Sequence, residues 1–121
     1  MTEPAPYSEG ITTIAPEVLL TIARLTTLNV GGVSRICHLP SAAMQRLFKR
    51  GHVDEGVAIE IIDDVVYADL YVILKHEGNV REVSHCIQVD VTRAITEMVG
   101  MQVGSVNIHV EDIDYPPENE A

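Results

Sequence analysis

Histidines, cysteines and carboxylates are the side chains of this sequence that could bind a metal. His76, His85 and His109 each lie within two positions of an acidic residue or a cysteine, and all of these side-chain types can ligate zinc. Zinc sites bring ligand pairs together at short, characteristic spacings, and no such pairing occurs here. The sequence therefore predicts that no metal and no cofactor is required.

Carboxylates could also supply acid–base catalysis, which needs them to converge in a dry pocket. Asp63, Asp64 and Asp69 are candidates by proximity alone. Asp63 and Asp64 separate two alternating runs, as in a solvated turn, and Asp69 is a polar member of an alternating strand. The sequence contains no phosphate loop, dinucleotide fingerprint, nucleophile elbow or HExxH motif. We predict that the chain is not an enzyme.

The net charge of −10, from eighteen acidic and eight basic residues, restricts the partners of the chain. A field of that sign repels phosphate backbones and anionic lipids, so we expect neither nucleic acid nor direct membrane insertion. No stretch approaches the roughly eighteen apolar residues of a membrane span, and the N-terminus lacks a secretory signal pattern. We predict a cytoplasmic protein that reaches a membrane only through another protein.

The length of 121 residues is sufficient for a single domain with one hydrophobic core. Residues 1–9 and 115–121 combine prolines with polar or acidic residues, and we predict flexible tails on either side of one domain over 10–114. Cys37 and Cys86 form no CxxC pair. We expect two buried, reduced thiols rather than a disulfide framework.

Two main helices are predicted. The first begins near Pro16 and ends at Gly31-Gly32. Its apolar stripe, with Leu19 and Ala23 beside it, consists of Val18, Ile22, Leu25 and Leu28. The second begins after the cap residue Asn79 and ends at Gly100. Its apolar stripe consists of Val80, Val83, Ile87, Val91, Ala94 and Met98. A further short helix is predicted over 41–50.

Alternating apolar residues predict the strands. They lie at 10–14, 33–39, 57–62, 65–76 and 103–113, and the turn residues Asp63-Asp64 make a hairpin of the third and fourth. One face of 65–76 is uniformly apolar and carries Val66, Ala68, Leu70, Val72 and Leu74. The predicted fold class is α+β, with a single mostly antiparallel sheet and two main helices packed on that face.

The other face of the predicted sheet is left uncovered by helices. It carries the aromatic, apolar and hydrogen-bonding side chains of Tyr67, Tyr71, Ile73, Asn107 and His109. Such a mixture is typical of interface cores, which favour tyrosine flanked by polar groups. We predict that the chain self-associates through this face or through an exposed strand edge.

Most of the sequence resembles the alkaline shock protein family of bacterial envelope stress response proteins. The similar segments are 14–18 (Ile-Ala-Pro-Glu-Val), 30–33 (Val-Gly-Gly-Val), 68–73 (Ala-Asp-Leu-Tyr-Val-Ile), 97–100 (Glu-Met-Val-Gly) and 106–110 (Val-Asn-Ile-His-Val). The resemblance extends from about Gly10 to Ile113. The segment 40–50 and His76 depart from the usual pattern of the family.

This resemblance implies a non-enzymatic cytoplasmic protein that assembles with itself, with a membrane-anchored protein as its candidate partner. The family has no established catalytic residues, so none is assigned. Other relatives are linked to fatty-acid metabolism, which leaves a small ligand-binding or regulatory domain as the alternative function.

Overall fold

The fold is that of a computed structural model, which describes residues 10–47 and 51–115. Its helices are α1 (Pro16–Leu28), α2 (Ser41–Leu47) and α3 (Val80–Val99). Its strands are β1 (Val33–Ile36), β2 (His52–Asp54), β3 (Val57–Ile62), β4 (Val65–Lys75) and β5 (Gln102–Asp114). Residues 48–50 of the predicted short helix, the tail over 1–9 and the tail beyond Tyr115 lie outside the described residues.

The strand β4 is the centre of the sheet. β5 pairs with it in parallel along its whole length, so β3 and β1 share the opposite edge, where both pair with β4 in the antiparallel sense. β2 pairs antiparallel with β3. The parallel pair arises because α3 connects β4 to β5 as a crossover. The predicted class, α+β with a mostly antiparallel sheet, is confirmed.

The core lies between the sheet and the two long helices. The five apolar residues predicted for one face of β4, from Val66 to Leu74, are at most 1% exposed. They form one cluster with Leu19 and Ala23 of α1 and with Ile87 and Val91 of α3. The predicted packing of both main helices on this face of β4 is therefore confirmed.

The helix α1 buries a different stripe from the one predicted. Its buried residues are Leu19, Leu20, Ala23 and Thr27, whereas Val18, Leu25 and Leu28 are 44%, 55% and 42% exposed. Apolar residues cover most of the helix circumference, so periodicity alone could not identify the side that faces the sheet. Thr27 can be buried because its hydroxyl donates a 2.7 Å hydrogen bond to the Ala23 carbonyl.

The helix α3 agrees with its prediction at both ends. The Asn79 side chain accepts hydrogen bonds from the Arg81 and Glu82 amides at 3.0 and 3.1 Å, and Gly100 ends the helix with φ of 80°. The predicted stripe is buried through its middle, but Met98 is 71% exposed.

The prediction of two buried thiols is wrong, because Cys86 lies on the outer side of α3 and is exposed, whereas Cys37 is half-buried.

Two tight turns determine the strand pairing. Asp63 and Asp64, between β3 and β4, both have positive φ, as do Glu55 and Gly56 between β2 and β3, and type I′ turns have this geometry. The second turn creates β2, a three-residue strand with too little alternation to be predicted.

The prediction of a strand at 10–14 is wrong, since this segment has no strand pairing and Ile11 is 90% exposed.

The end of β5 is attached to β1 by Asp114. Its carboxylate accepts hydrogen bonds from the Ser34 hydroxyl and from the Arg35 guanidinium. The bond from Ser34, and then the bond from Arg35, lower the pKa of Asp114. This attachment joins β5 to β1, the strand that pairs with the second half of β4 from its other side.

In the described parts of the chain, no helix is long and apolar enough to cross a membrane.

Candidate interaction surface on the open sheet face

The open face is the side of the sheet that faces away from α1 and α3. The strand register brings side chains of β4 and β5 together there, with Asp69 opposite Asn107 and Tyr71 opposite His109. Ala58 of β3 pairs with Asp69 from the other edge. Period-two alternation places all of these residues on one face, opposite the apolar core residues of the same strands.

Asp69 is the centre of the polar contacts on the open face. Its Oδ1 accepts a 3.2 Å hydrogen bond from Asn107 Nδ2 and lies 2.9 Å from His109 Nε2. The second contact is a hydrogen bond when Nε2 carries the imidazole proton. The Asp69 side chain is 19% exposed and that of His109 is 39% exposed. A mostly buried carboxylate is therefore held by two donors from the neighbouring strand.

Tyr71 completes this group, which we call the Asp69 cluster (Asp69, Tyr71, Asn107 and His109). The rings of Tyr71 and His109 stack with centroids 4.4 Å apart and an interplanar angle of 12°. Burial raises the pKa of the Tyr71 hydroxyl, and the nearby charges of Asp69 and Glu111 raise it further. The imidazole of His109 is thus held by a carboxylate at its edge and a phenol ring at its face.

Part of the open face is covered by the chain itself, which the sequence did not predict. Tyr71 is only 9% exposed and packs with Ala58, Cys37, Leu39 and Val53. The backbone fixes this contact, because the Tyr71 amide donates to Gly56 O at 2.9 Å and its carbonyl accepts from Cys37 N at 2.7 Å. Tyr71 therefore marks the point where β3 ends and β1 begins along β4.

The five residues predicted as an interface divide into two groups. Tyr71 and Ile73 are buried within the single chain, at 9% and 6% exposure. Tyr67 and His109 are half-buried and Asn107 is exposed, so these three residues are accessible to another molecule. The ring of Tyr67 lies over Gly104, where any side chain would overlap it. That the face is an interface stays a prediction, and its accessible part is Tyr67, Asn107 and His109.

The Asp69 cluster lies on an open surface rather than in an enclosed pocket. Asp69 and His109 form a hydrogen-bonded pair, but the pair lies on an open sheet face, where water can reach the imidazole. Among the residues that the structure describes, no group of three or more histidine, cysteine or acidic side chains is arranged to hold a metal ion. The cluster presents a set of fixed donors and acceptors around an aromatic ring.

We expect Tyr71 to lower the unfolding free energy of the fold as pH rises into the alkaline range. The pKa of Tyr71 is raised in the folded chain above its ordinary value of 10.0, so the unfolded chain releases the phenol proton first. The stability that Tyr71 contributes is therefore fully present below pH 10.0 and is lost as pH rises through the pKa of the folded chain. Between about pH 9 and about pH 11, we expect the unfolding free energy of the Tyr71→Phe variant to decrease less than that of the parent. Urea unfolding at each pH measures both slopes. Equal slopes would show that Tyr71 does not cause the dependence.

The comparisons with known proteins agree with the resemblance found in the sequence. A family model described as the alkaline shock protein 23 family, cell envelope-related function, matches residues 5–115. The chain is 25% identical over 107 residues to the uncharacterized protein YqhY of Bacillus subtilis, covering 88% of this chain and 78% of YqhY. It is 22% identical over 113 residues to the uncharacterized protein Spy1614 of Streptococcus pyogenes, covering 92% of this chain and 93% of Spy1614.

Solved structures of MamM CTD have a similar fold. Two of them superpose with a TM-score of 0.50 at 14% identity, covering 81% of this chain and 95% or 99% of MamM CTD. At this level of identity, the likeness extends to the arrangement of helices and strands alone.

Proposed function

The chain belongs to the alkaline shock protein family that its sequence resembles, and from this membership and its open face we propose a non-enzymatic protein that assembles with itself. The description of the family, cell envelope-related function, supports a role for this assembly at the cell envelope. We further propose that the protein acts in the cytoplasm and reaches the envelope through a membrane-anchored partner protein. The accessible part of the open face, with Tyr67, Asn107 and His109, is the contact surface.

One observation carries this proposal: the hydrogen-bonded Asp69 cluster lies on an open sheet face. Asp69 holds Asn107 and His109 in fixed positions, at 3.2 and 2.9 Å from one carboxylate oxygen. Side chains fixed in this way lose little conformational entropy when a partner binds. A substrate, in contrast, is generally bound in a concave pocket that removes most of its surface from water.

The chemistry of the accessible residues also favours a protein partner. Tyr67 presents an aromatic ring, Asn107 an amide and His109 a half-exposed imidazole, whereas aliphatic side chains would offer only apolar area. Tyrosine among polar groups is enriched in the centres of protein interfaces, where a few such residues supply most of the binding energy. Tyr71, which is buried, supports this surface from within the chain by stacking on His109.

Asn107→Arg tests the proposed contact surface without touching the core, because Asn107 is exposed. A long cation at the centre of the contact prevents close approach, so we expect self-association to weaken at least tenfold, which corresponds to about 1.4 kcal/mol. Sedimentation velocity at several concentrations measures the effect. Thr96→Arg, at an exposed site on α3, is the matched control, since it makes the same change in net charge.

Two different outcomes would contradict the open face as the contact surface and self-assembly itself. If Asn107→Arg assembles as the parent does, the open face is not the contact surface. If the parent stays a single chain at every concentration, self-assembly itself is contradicted.

A further inference from the structure

The outer side of α1 is an apolar surface that neither the core nor the open face uses. Val18 and Leu25, seven residues apart and therefore on one side of the helix, are 44% and 55% exposed. Met98 of α3 is 71% exposed and borders the same groove as Val18 and Ile22. We call this surface, formed by Val18, Leu25, Met98 and the half-buried Ile22, which also packs against the core, the α1 face. Single exposed apolar residues are ordinary, but a contiguous group marks an interaction site.

The low charge of the α1 face favours a second copy of this acidic chain as its occupant. The net charge of the chain is −10, yet Glu17 and Arg24 are the only charged residues of α1. Arg24 turns away from this face and forms a 3.0 Å ion pair with Asp54 of β2. Two copies of so acidic a chain repel each other across most of their surfaces. They can approach with the least repulsion where the surface is apolar and nearly uncharged.

We propose that the α1 face is a second self-association surface, on which α1 of one copy packs antiparallel against α1 of another. The proposal rests on the proposed function insofar as it requires that the chain assembles with itself. With the open face, it gives each copy two different contacts, so assembly is not limited to a dimer. Around the apolar centre, charged residues of α3 such as Arg93 and Glu97 form the polar rim that protein interfaces have.

The spacing of the residues fits a two-fold contact. An axis between Thr21 and Ile22 places Val18 of each copy against Leu25 of the other, and Glu17 against Thr26. The two Glu17 side chains are then nine helical positions apart, or about 14 Å along the axis, at 1.5 Å per residue. That separation exceeds the Debye length of about 8 to 10 Å at ordinary salt. An antiparallel contact therefore buries the apolar residues without bringing like charges together.

Val18→Lys and Leu25→Glu test this contact. Both sites are exposed in the single chain, so both variants should fold. A two-fold contact contains each substitution twice. If each copy of the substitution weakens the α1 contact about tenfold, its association constant falls about a hundredfold. Val89→Lys on α3 is the matched control, a valine that is 37% exposed outside the α1 face, and it should associate as the parent does.

A mixture of the two variants provides the sharper result. In the proposed register a Val18→Lys copy meets a Leu25→Glu copy as an opposite-charge pair, so the equimolar mixture should associate more strongly than either variant alone. Sedimentation velocity and melting temperature are measured on every sample. The inference is overturned if the variants associate as the parent does, or if the mixture is as weak as each variant alone. It is also overturned if Val18→Lys lowers the melting temperature without changing the size, because the chain's own residues would then cover the face.

Those outcomes are distinguishable from failure of the proposed function. Unchanged association of both α1 variants overturns the α1 contact while self-assembly stands. A parent that remains a single chain at every concentration overturns both.

Discussion

Leu70→Asp is expected to leave the chain unfolded under conditions in which the parent is folded. Leu70 is fully buried at the centre of β4, in the cluster that joins the sheet to α1 and α3. The substitution removes a packed side chain and places an unpaired carboxylate in its position, at a cost of about 4 to 5 kcal/mol or more. The whole unfolding free energy of such a domain is roughly 5 to 15 kcal/mol. Circular dichroism and urea unfolding measure the loss.

Val89→Asp is the control for Leu70→Asp. Val89 lies on the outer side of α3 and is 37% exposed, so an aspartate there remains hydrated and should cost less than about 1 kcal/mol. A Leu70→Asp variant that melts like the parent would contradict the strand register on which the core, the open face and the Asp69 cluster all depend.

Gly56→Ala should destabilise the fold by about 3 kcal/mol or more, although it adds a single methyl group. Gly56 has φ of 97°, and a Cβ there would overlap the carbonyl oxygen of Cys37. The Gly56 carbonyl and the Cys37 amide are both hydrogen-bonded to the backbone of Tyr71, so neither residue can move without breaking the junction of β3 and β1. Urea unfolding of parent and variant measures the difference in free energy.

Two other glycines distinguish the conformational cost of a positive φ from the steric overlap of the added Cβ. Gly100 has φ of 80° but open space around its Cβ position, so Gly100→Ala reports the conformational cost alone, about 1 kcal/mol. Gly31 also has open space and is not in the left-handed region, so Gly31→Ala should change stability by less than about 0.5 kcal/mol. If Gly56→Ala costs no more than Gly100→Ala, the close approach of β3 and β1 is contradicted.

Local patterns in the sequence were sufficient for most of the fold. The alternation from Val66 to Leu74 identified the core face of β4, and Asn79 with Gly100 gave the limits of α3, because each signal depends on neighbouring residues only. In α1 the same reasoning selected the wrong stripe. Apolar residues surround that helix, and only tertiary packing decides which of them face the sheet.

The open face could be predicted only in part. Alternation placed Tyr67, Asn107 and His109 on the correct side, but Asp69 was interpreted as an ordinary polar strand residue. Its role depends on the register of β4 against β5, which are separated in sequence by α3. The burial of Tyr71 by Cys37, Leu39 and Val53 depends likewise on contacts between distant segments. A single sequence carries no local signal for either contact.

Sedimentation equilibrium of the parent chain, over about a hundredfold range of concentration, measures self-association without any substitution. We expect an average mass that rises with concentration above that of a single chain, because the open face and the α1 face both bind further copies. A mass that stays at that of one chain throughout this range would contradict it.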